Sequence, residues 1–282
     1  ICPNGAYQGY GAPKGNFAIT MALAELAEQL QIDQLEIIER NRVHEGQELK
    51  ILGAIGEGKA PTSVPSAASC ALEEILRQGR EMIQWSSPKP QNGDWHIGRG
   101  VAIIMQKSGI PDIDQANCMI KLESDGTFIV HSGGADIGTG LDTVVTKLAA
   151  EVLHCPPQDV HVISGDTDHA LFDKGAYASS GTCFSGNAAR LAAENLREKI
   201  LFHGAQILGE PVADVQLATP GVVRGKKGEV SFGEIAHKGE TGTGFGSLVG
   251  TGSYITPDFA FPYGANFAEV AVNTRTGEIR LD

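Results

Sequence analysis

Three times this chain runs from a loop of small residues into a helix: "AYQGYGAPKG" at 6–15, "GGADIGTG" at 133–140 and "ASSGTCFSG" at 178–186. The pattern restricts fold and ligand together. The first N–H groups of a helix have no partner inside it and carry a partial positive charge, and glycine lets a ligand approach them closely. One such loop is a plain turn. Three in one chain favour an anionic ligand with several arms. The 36 glycines follow no collagen-like period and form no low-complexity tract, so they serve tight turns and close backbone approaches.

The commonest anion loops are not among them. No GxxxxGK[ST] occurs, and the second loop lacks both the GxGxxG order and the later acid of a dinucleotide site. "GTGFGSLVG" at 242–250 is a glycine match at the level of chance, and HExxH, GxSxG and EF-hand patterns do not occur. Asp166 and Asp168 in "SGDTDHA" read better as acceptors capping a turn than as metal ligands. His131, at a strand end, reads as a hydrogen-bonded structural residue.

A formal net charge of -12 with no basic patch argues against nucleic acid and against an anionic membrane surface. No apolar run reaches spanning length. The five cysteines, Cys2, Cys70, Cys118, Cys155 and Cys183, are scattered without a CxxC pair. They read as reduced, mostly buried thiols of a cytosolic protein. The chain opens on Ile1, and its final "TGEIRLD" reads as a strand in progress, as in a piece of a longer polypeptide.

Periodicity predicts helices over 15–31, with an apolar stripe of Phe17, Met21, Leu23, Leu26 and Leu30, and over 34–43, with Asp33 as N-cap and Glu36 completing a capping box. Residues 45–65 read as loop and 68–84 as helix. The texture then changes to strands in "GRGVAIIMQ", "NCMIKLE" and "TFIVHS". After the second glycine loop a helix is expected, striped by Val144, Val145, Leu148, Ala149, Val152 and Leu153. A strand at "DVHVISG", a loop over 165–185, a helix at "GNAARLAAENLREKIL", short strands and turns, and a hairpin at "NFAEVAVNTRTGEIRL" complete the reading. This is an α+β chain of mixed sheets with packed helices. Two lobes are expected, a helical one at 1–85 and a strand-rich one at 96–282, joined through the Pro- and Gly-bearing "SSPKPQNGD".

"GAYQGYGAPKG", "GGADIGTGLDTVVTKLAAEVL", "GDTD" and "ASSGTCFSGNAA" stand in the order found in the molybdenum hydroxylases, and "IDQLEIIERN" and "FPYGANFAEVAVNTRTGEIRL" are similar to family segments. The chain resembles an internal part of the molybdenum-cofactor domain of the xanthine dehydrogenase and aldehyde oxidase family, most like the bacterial purine branch. That resemblance implies a molybdopterin ligand, in bacteria often extended by a nucleotide, whose dithiolene sulfurs hold molybdenum. It also implies iron–sulfur and flavin modules in other segments or subunits, and a small N-heterocycle as substrate.

Carried over by motif, Gln8 stands where the family has an arginine beside the metal, followed by Gly9, and Tyr10 at an aromatic position that packs on the substrate ring. Thr139, between Gly138 and Gly140, replaces a glutamine. Ala178 and Ser179 match a loop close to the metal, Ala178 with Gln8 among its nearest groups, and Gly181 follows. Gln8 loses a positive charge, and Thr139 is too short to span glutamine's gap; both departures bear on the substrate more than on the cofactor. The family's catalytic glutamate has no counterpart in this chain. Glu269 reads as a structural carboxylate. This stretch alone is therefore expected to be inert. An aldehyde-oxidising enzyme and a diverged, non-catalytic binding module stand as alternatives.

Overall fold

The computed structural model describes residues 5, 8–53, 64–241, 244–256, 258 and 260–281. Cys2, Ala6, Tyr7, residues 54–63 of the expected loop and 242–243 of the glycine run lie outside the described residues. In chain order the elements are α1 (Ala12–Leu30), α2 (Gln34–Asn41), α3 (Leu72–Met82), β1 (Gln91–Asn92), β2 (Trp95–Met105), β3 (Ala116–Leu122), β4 (Phe128–Ser132), α4 (Leu141–Leu153) and β5 (Val160–Ser164). There follow α5 (Gly181–Leu208), β6 (Gln216–Ala218), β7 (Val222–Arg224), β8 (Glu229–Ser231), α6 (Phe232–Glu240), β9 (Val249–Tyr254), β10 (Tyr263–Asn273) and β11 (Ile279–Leu281). The α+β expectation matches this set.

Two compact units result, one made of Ile1–Ser108 with Ala260–Asp282, the other of Gly109–Phe259. The division expected at 86–95 is not where the chain divides. That stretch turns through β1 into β2 inside the first unit. The cause is a long-range pairing that periodicity does not reveal: β2 runs antiparallel to β10, from Trp95 opposite Asn273 to Met105 opposite Tyr263. Both strands then carry the helices of the first hundred residues.

In that first unit, α1, α2 and α3 cover a sheet of order β1-β2-β10-β11. Ala27, Leu35, Ile37, Ile38, Leu76 and Val101 form its core, with Trp85 and Phe267 packed against it. Asp33 caps α2 as expected, its Oδ1 accepting from Leu35 N at 2.9 Å and Glu36 N at 3.2 Å. The stripe predicted for α1 does not face inward. Phe17, Met21, Leu26 and Leu30 are exposed, and the buried line runs through Ala27 with Leu23 half-buried beside it. The inward side of the helix thus mixes Ala27 and Leu23 with the half-buried polar Asn16 and Thr20.

Arg99 and Glu269, directly opposed across β2 and β10, form an ion pair that leaves the arginine side chain 7% exposed. Arg99 Nη1 also donates to Gln84 O at 2.6 Å and Ser87 O at 3.0 Å, just past the end of α3. A cation there adds charge-assisted bonds to carbonyls of the turn that follows α3. Glu269 is thus a structural carboxylate, as expected.

The second unit is built on a sheet of order β5-β4-β3-β9. Only β4 and β5 pair in parallel there, and α4 crosses between them, so the second glycine loop stands at the C-terminal end of β4. Ala188, Ala189, Ala192, Ala193, Leu196 and Ile200 of α5 are fully buried against this sheet. Close contact is possible because β9 offers glycine: a Cβ at Gly252 would run into Ala188 O and Ala192 N, and one at Gly250 into Ala192 O. The helix starts at Gly181, five residues before the predicted "GNAARL", and continues to Leu208. A second correction is α6, a helix where only strands and turns were expected. Ser231 caps it, and Glu234 returns the bond to Ser231 N at 2.8 Å, a complete capping box.

Candidate functional site

The residues singled out by sequence fall in both units. Gln8, Gly9 and Tyr10 belong to the first, where the short turn Gly9–Gly11 leads into α1 with Gln8 at φ 43°. The other candidates belong to the second unit, and the structure brings them together. Leu141, first residue of α4, lies 3.5 Å from where a Cβ on Gly181 would stand, so the starts of α4 and α5 are neighbours. Gly134 is held tightly between them: a Cβ there would come within 2.7 Å of Ser185 Oγ and 2.8 Å of Leu141 Cδ2.

At α4 the amides already have an acceptor. Asp136 Oδ1 takes hydrogen bonds from Gly138 N at 2.9 Å and Gly140 N at 3.1 Å, and its Oδ2 lies 3.4 Å from Asp142 N. These bonds, that from Gly138 first, hold the Asp136 carboxyl below the usual carboxylate range. The chain therefore supplies its own anion at this helix start. Gly138 (φ 98°) and Gly140 (φ 77°) are left-handed, with open space where a Cβ would be, and Thr139 between them is exposed.

At α5 the arrangement is the reverse. Ala178 and Ser179 are consecutive non-glycine residues at φ 49° and 57°. Each left-handed placement costs about 1–2 kcal/mol, so the surroundings must hold it. Gly109 N donates to Ala178 O at 2.8 Å, Ser180 Oγ to Tyr177 O at 2.7 Å, and the Tyr177 hydroxyl to Asp114. Beyond this turn, the N–H groups of Gly181, Thr182 and Cys183 donate to no described residue, and the bonding of α5 to the preceding turn begins with Phe184 N on Ser180 O at 2.8 Å. That is an anion-competent helix start of 28 residues.

Four aspartates pin these loops. Besides Asp114 and Asp136, Asp173 accepts from Gly175 N at 2.8 Å and Ser185 Oγ at 2.9 Å. Asp166 accepts from Asp168 N at 2.9 Å and holds His169 Nδ1 at 2.7 Å. Asp166 and Asp168 thus make the turn foreseen for them, and no His, Cys, Asp and Glu cluster fit for a metal occurs among the described residues. His131 departs from its reading. Its Nδ1 is buried without a hydrogen-bond partner, and its ring stacks 6.5 Å from that of His169. Asp114, Asp136 and Asp173 were not singled out by sequence. A signal existed for the last two: in "DIG" and "DKG" the acid stands two residues before a glycine, the spacing of a side chain that caps its own turn.

Burial pushes the Cys118 thiol up to about 12 and that of Cys155 up to about 11. Burial, with Asp114 nearby, also raises Cys183 at the start of α5. Cys70, Cys118, Cys155 and Cys183 are all free.

The sequence pattern of the molybdopterin cofactor-binding domain matches residues 78–282 and, in a second part, residues 1–42. The chain belongs to the molybdopterin cofactor-binding domain family. It is 99% identical over its full 282 residues to a probable hypoxanthine oxidase of Escherichia coli (strain K12), of which it covers 30%. It is 35% identical over 220 residues to a putative xanthine dehydrogenase molybdenum-binding subunit of the same organism, a match that covers 76% of this chain and 28% of that one. The chain thus spans under a third of the length of these curated relatives. Among solved structures, carbon monoxide dehydrogenase from Oligotropha carboxidovorans shares the fold, with a TM-score of 0.75 at 18% identity over 97% of this chain and 36% of that one. Among the described residues no helix is long and apolar enough to cross a membrane.

Set against that family, the residues fit an anionic pterin phosphate or an anionic metal centre at α5, where three N–H groups behind Ala178 and Ser179 have no acceptor among the described residues. At α4 they fit less directly. Gly138 and Gly140 give their N–H groups to Asp136, which leaves the Thr139 hydroxyl and the open space beside the glycines as the groups that can meet a ligand.

Proposed function

We propose that this chain is a cofactor-holding part of the catalytic domain of a molybdenum hydroxylase that oxidises a purine-like N-heterocycle, with water as the oxygen source. The observation that supports the substrate class most is the 99% identity, along the whole chain, to a probable hypoxanthine oxidase. Molybdenum bound through molybdopterin would supply the two-electron oxidation. In this reading Gly181 and the two residues after it direct N–H groups at the anionic part of the cofactor, Ala178 and Ser179 present backbone beside the metal, and Thr139 offers its hydroxyl. Gln8 and Gly9 are proposed to serve the same cofactor, and Tyr10 the substrate ring. Gln8 supplies an amide where a cation would stabilise developing negative charge more strongly.

The general base that would activate the attacking water-derived oxygen is proposed to lie outside these 282 residues, and iron–sulfur and flavin modules are proposed to remove the electrons. The reduced thiols accord with a cytosolic protein. The test is elemental analysis of the full-length protein together with oxidation of hypoxanthine, xanthine and an aldehyde in oxygen-18 water with an artificial electron acceptor. Near-stoichiometric molybdenum and labelled purine product are expected. Faster aldehyde turnover would replace the substrate class. Protein free of molybdenum would instead make this a diverged binding module.

A further inference from the structure

We propose that Asp114 and Tyr177 form a latch whose task is to hold Ala178 and Ser179 in their left-handed conformation, making both positioning residues for the cofactor. This rests on the cofactor reading above. Asp114 is 1% exposed, the only buried carboxylate among the described residues. A carboxylate in such a place is costly unless its acceptor sites are used. Its described donors are Ile110 N, at 2.8 Å, and the Tyr177 hydroxyl. The bond to Tyr177 spans 63 positions of sequence and ends on the residue just before the left-handed pair.

The segment around Asp114 meets the same turn at two further points. Gly109 N donates to Ala178 O at 2.8 Å, and Lys174 N donates to Gln115 O at 3.0 Å. Residues 109–115 therefore brace 174–178 from both ends, with the carboxylate in the middle. Downstream, Ser180 N and Ser180 Oγ both donate to Tyr177 O, at 3.0 and 2.7 Å. A shift of Tyr177 would release Ser180 and let Ala178 and Ser179 relax toward right-handed backbone. The first N–H groups of α5 would then lose the aim that the turn gives them. A backbone held in a disfavoured region persists only where its surroundings over-determine it, and this brace is the over-determination.

The experiment uses the full-length protein as purified, with Tyr177→Phe as the principal variant. It removes one hydroxyl and keeps the ring. Amide hydrogen exchange over 174–184 is expected to rise about tenfold or more, as for loss of a hydrogen bond to a buried carboxylate, while exchange in β3 and β4 stays as in the parent. Molybdenum content is expected to fall with it. Adding Ser179→Gly, which removes the left-handed penalty, is expected to restore slow exchange and much of the metal. Unchanged exchange in Tyr177→Phe overturns the latch, and so does fast exchange that Ser179→Gly fails to correct. Exchange reads the turn whether or not metal is bound. A parent protein without molybdenum therefore defeats the cofactor role while the latch itself is judged separately. Asp114→Asn, which keeps an acceptor oxygen, is expected to fall between parent and Tyr177→Phe.

Discussion

The starts of α4 and α5 look alike in sequence and differ in chemistry. Each follows a small-residue loop, each contains left-handed backbone, and Leu141 and Gly181 put them side by side. At α4 a carboxylate two residues before Gly138 folds back and takes the amides. At α5 the nearby acids take other donors than the first amides of the helix: Asp173 holds Gly175 N and Ser185 Oγ, and Asp114 holds Tyr177. The loop's glycines do not distinguish a self-satisfied turn from an open anion site. The placement of the nearest aspartate does.

That comparison can be broken most severely through the strand behind α5. Gly252→Val should force helix and β9 apart, since a side chain there meets backbone atoms of Ala188 and Ala192 that cannot rotate away. A loss of about 3 kcal/mol or more in urea unfolding is expected, at the upper end for overpacking. A loss below about 1 kcal/mol would mean that α5 is free to shift. Next comes Gly140→Ala. Space for the methyl is open, so the cost is conformational alone, about 1–2 kcal/mol at φ 77°. Ala178→Gly should act in the opposite direction, with a gain of about 1 kcal/mol in the same assay, because the native backbone there already favours glycine. Equal signs for these two substitutions would dissolve the contrast between the loops.

The smallest effect should come from Asp136. Its carboxyl is depressed in the folded chain, so the folded state binds a proton less readily than the unfolded one. The stabilisation it gives is present above the ordinary carboxylate pKa and disappears as pH falls through the lower folded value. Asp136→Asn should flatten the acid limb of the stability curve by lowering stability slightly at neutral pH, with variant and parent converging in acid. Asp136→Ala should in addition open the α4 amides, seen as stabilisation by added sulfate that the parent does not show. A parent equally responsive to sulfate would show that the carboxylate does not block the site.

Much of the architecture was legible because it is local. Asp33 before "QLEI" marks a helix start, alternation marks β3, β4 and β5, and "NTRTG" marks the turn between β10 and β11. What escaped is of three kinds. The pairing of β2 with β10 joins distant segments, and it moved the expected boundary. The inward face of α1 carries Ala27 and Leu23 while its largest apolar residues are exposed, so the stripe misled. The short helix α6, in "SFGEIAHKGE", was hidden by its glycines although its capping box was written in Ser231 and Glu234. In the site, the loops were found because small residues are conspicuous. Asp114 was not, since nothing in "PDIDQ" announces a partner at Tyr177.

The glycines of β9 have one further consequence. Because α5 rests on backbone atoms of the strand rather than on side-chain tips, its height above the sheet is set by main-chain dimensions. Ordinary core substitutions alter the shape of side chains and leave those dimensions alone. The geometry at Gly181 is therefore insulated from sequence drift in most of the second unit, and exposed to it at two positions of one strand. Substitutions can accordingly accumulate in the loops while the platform stays the same height.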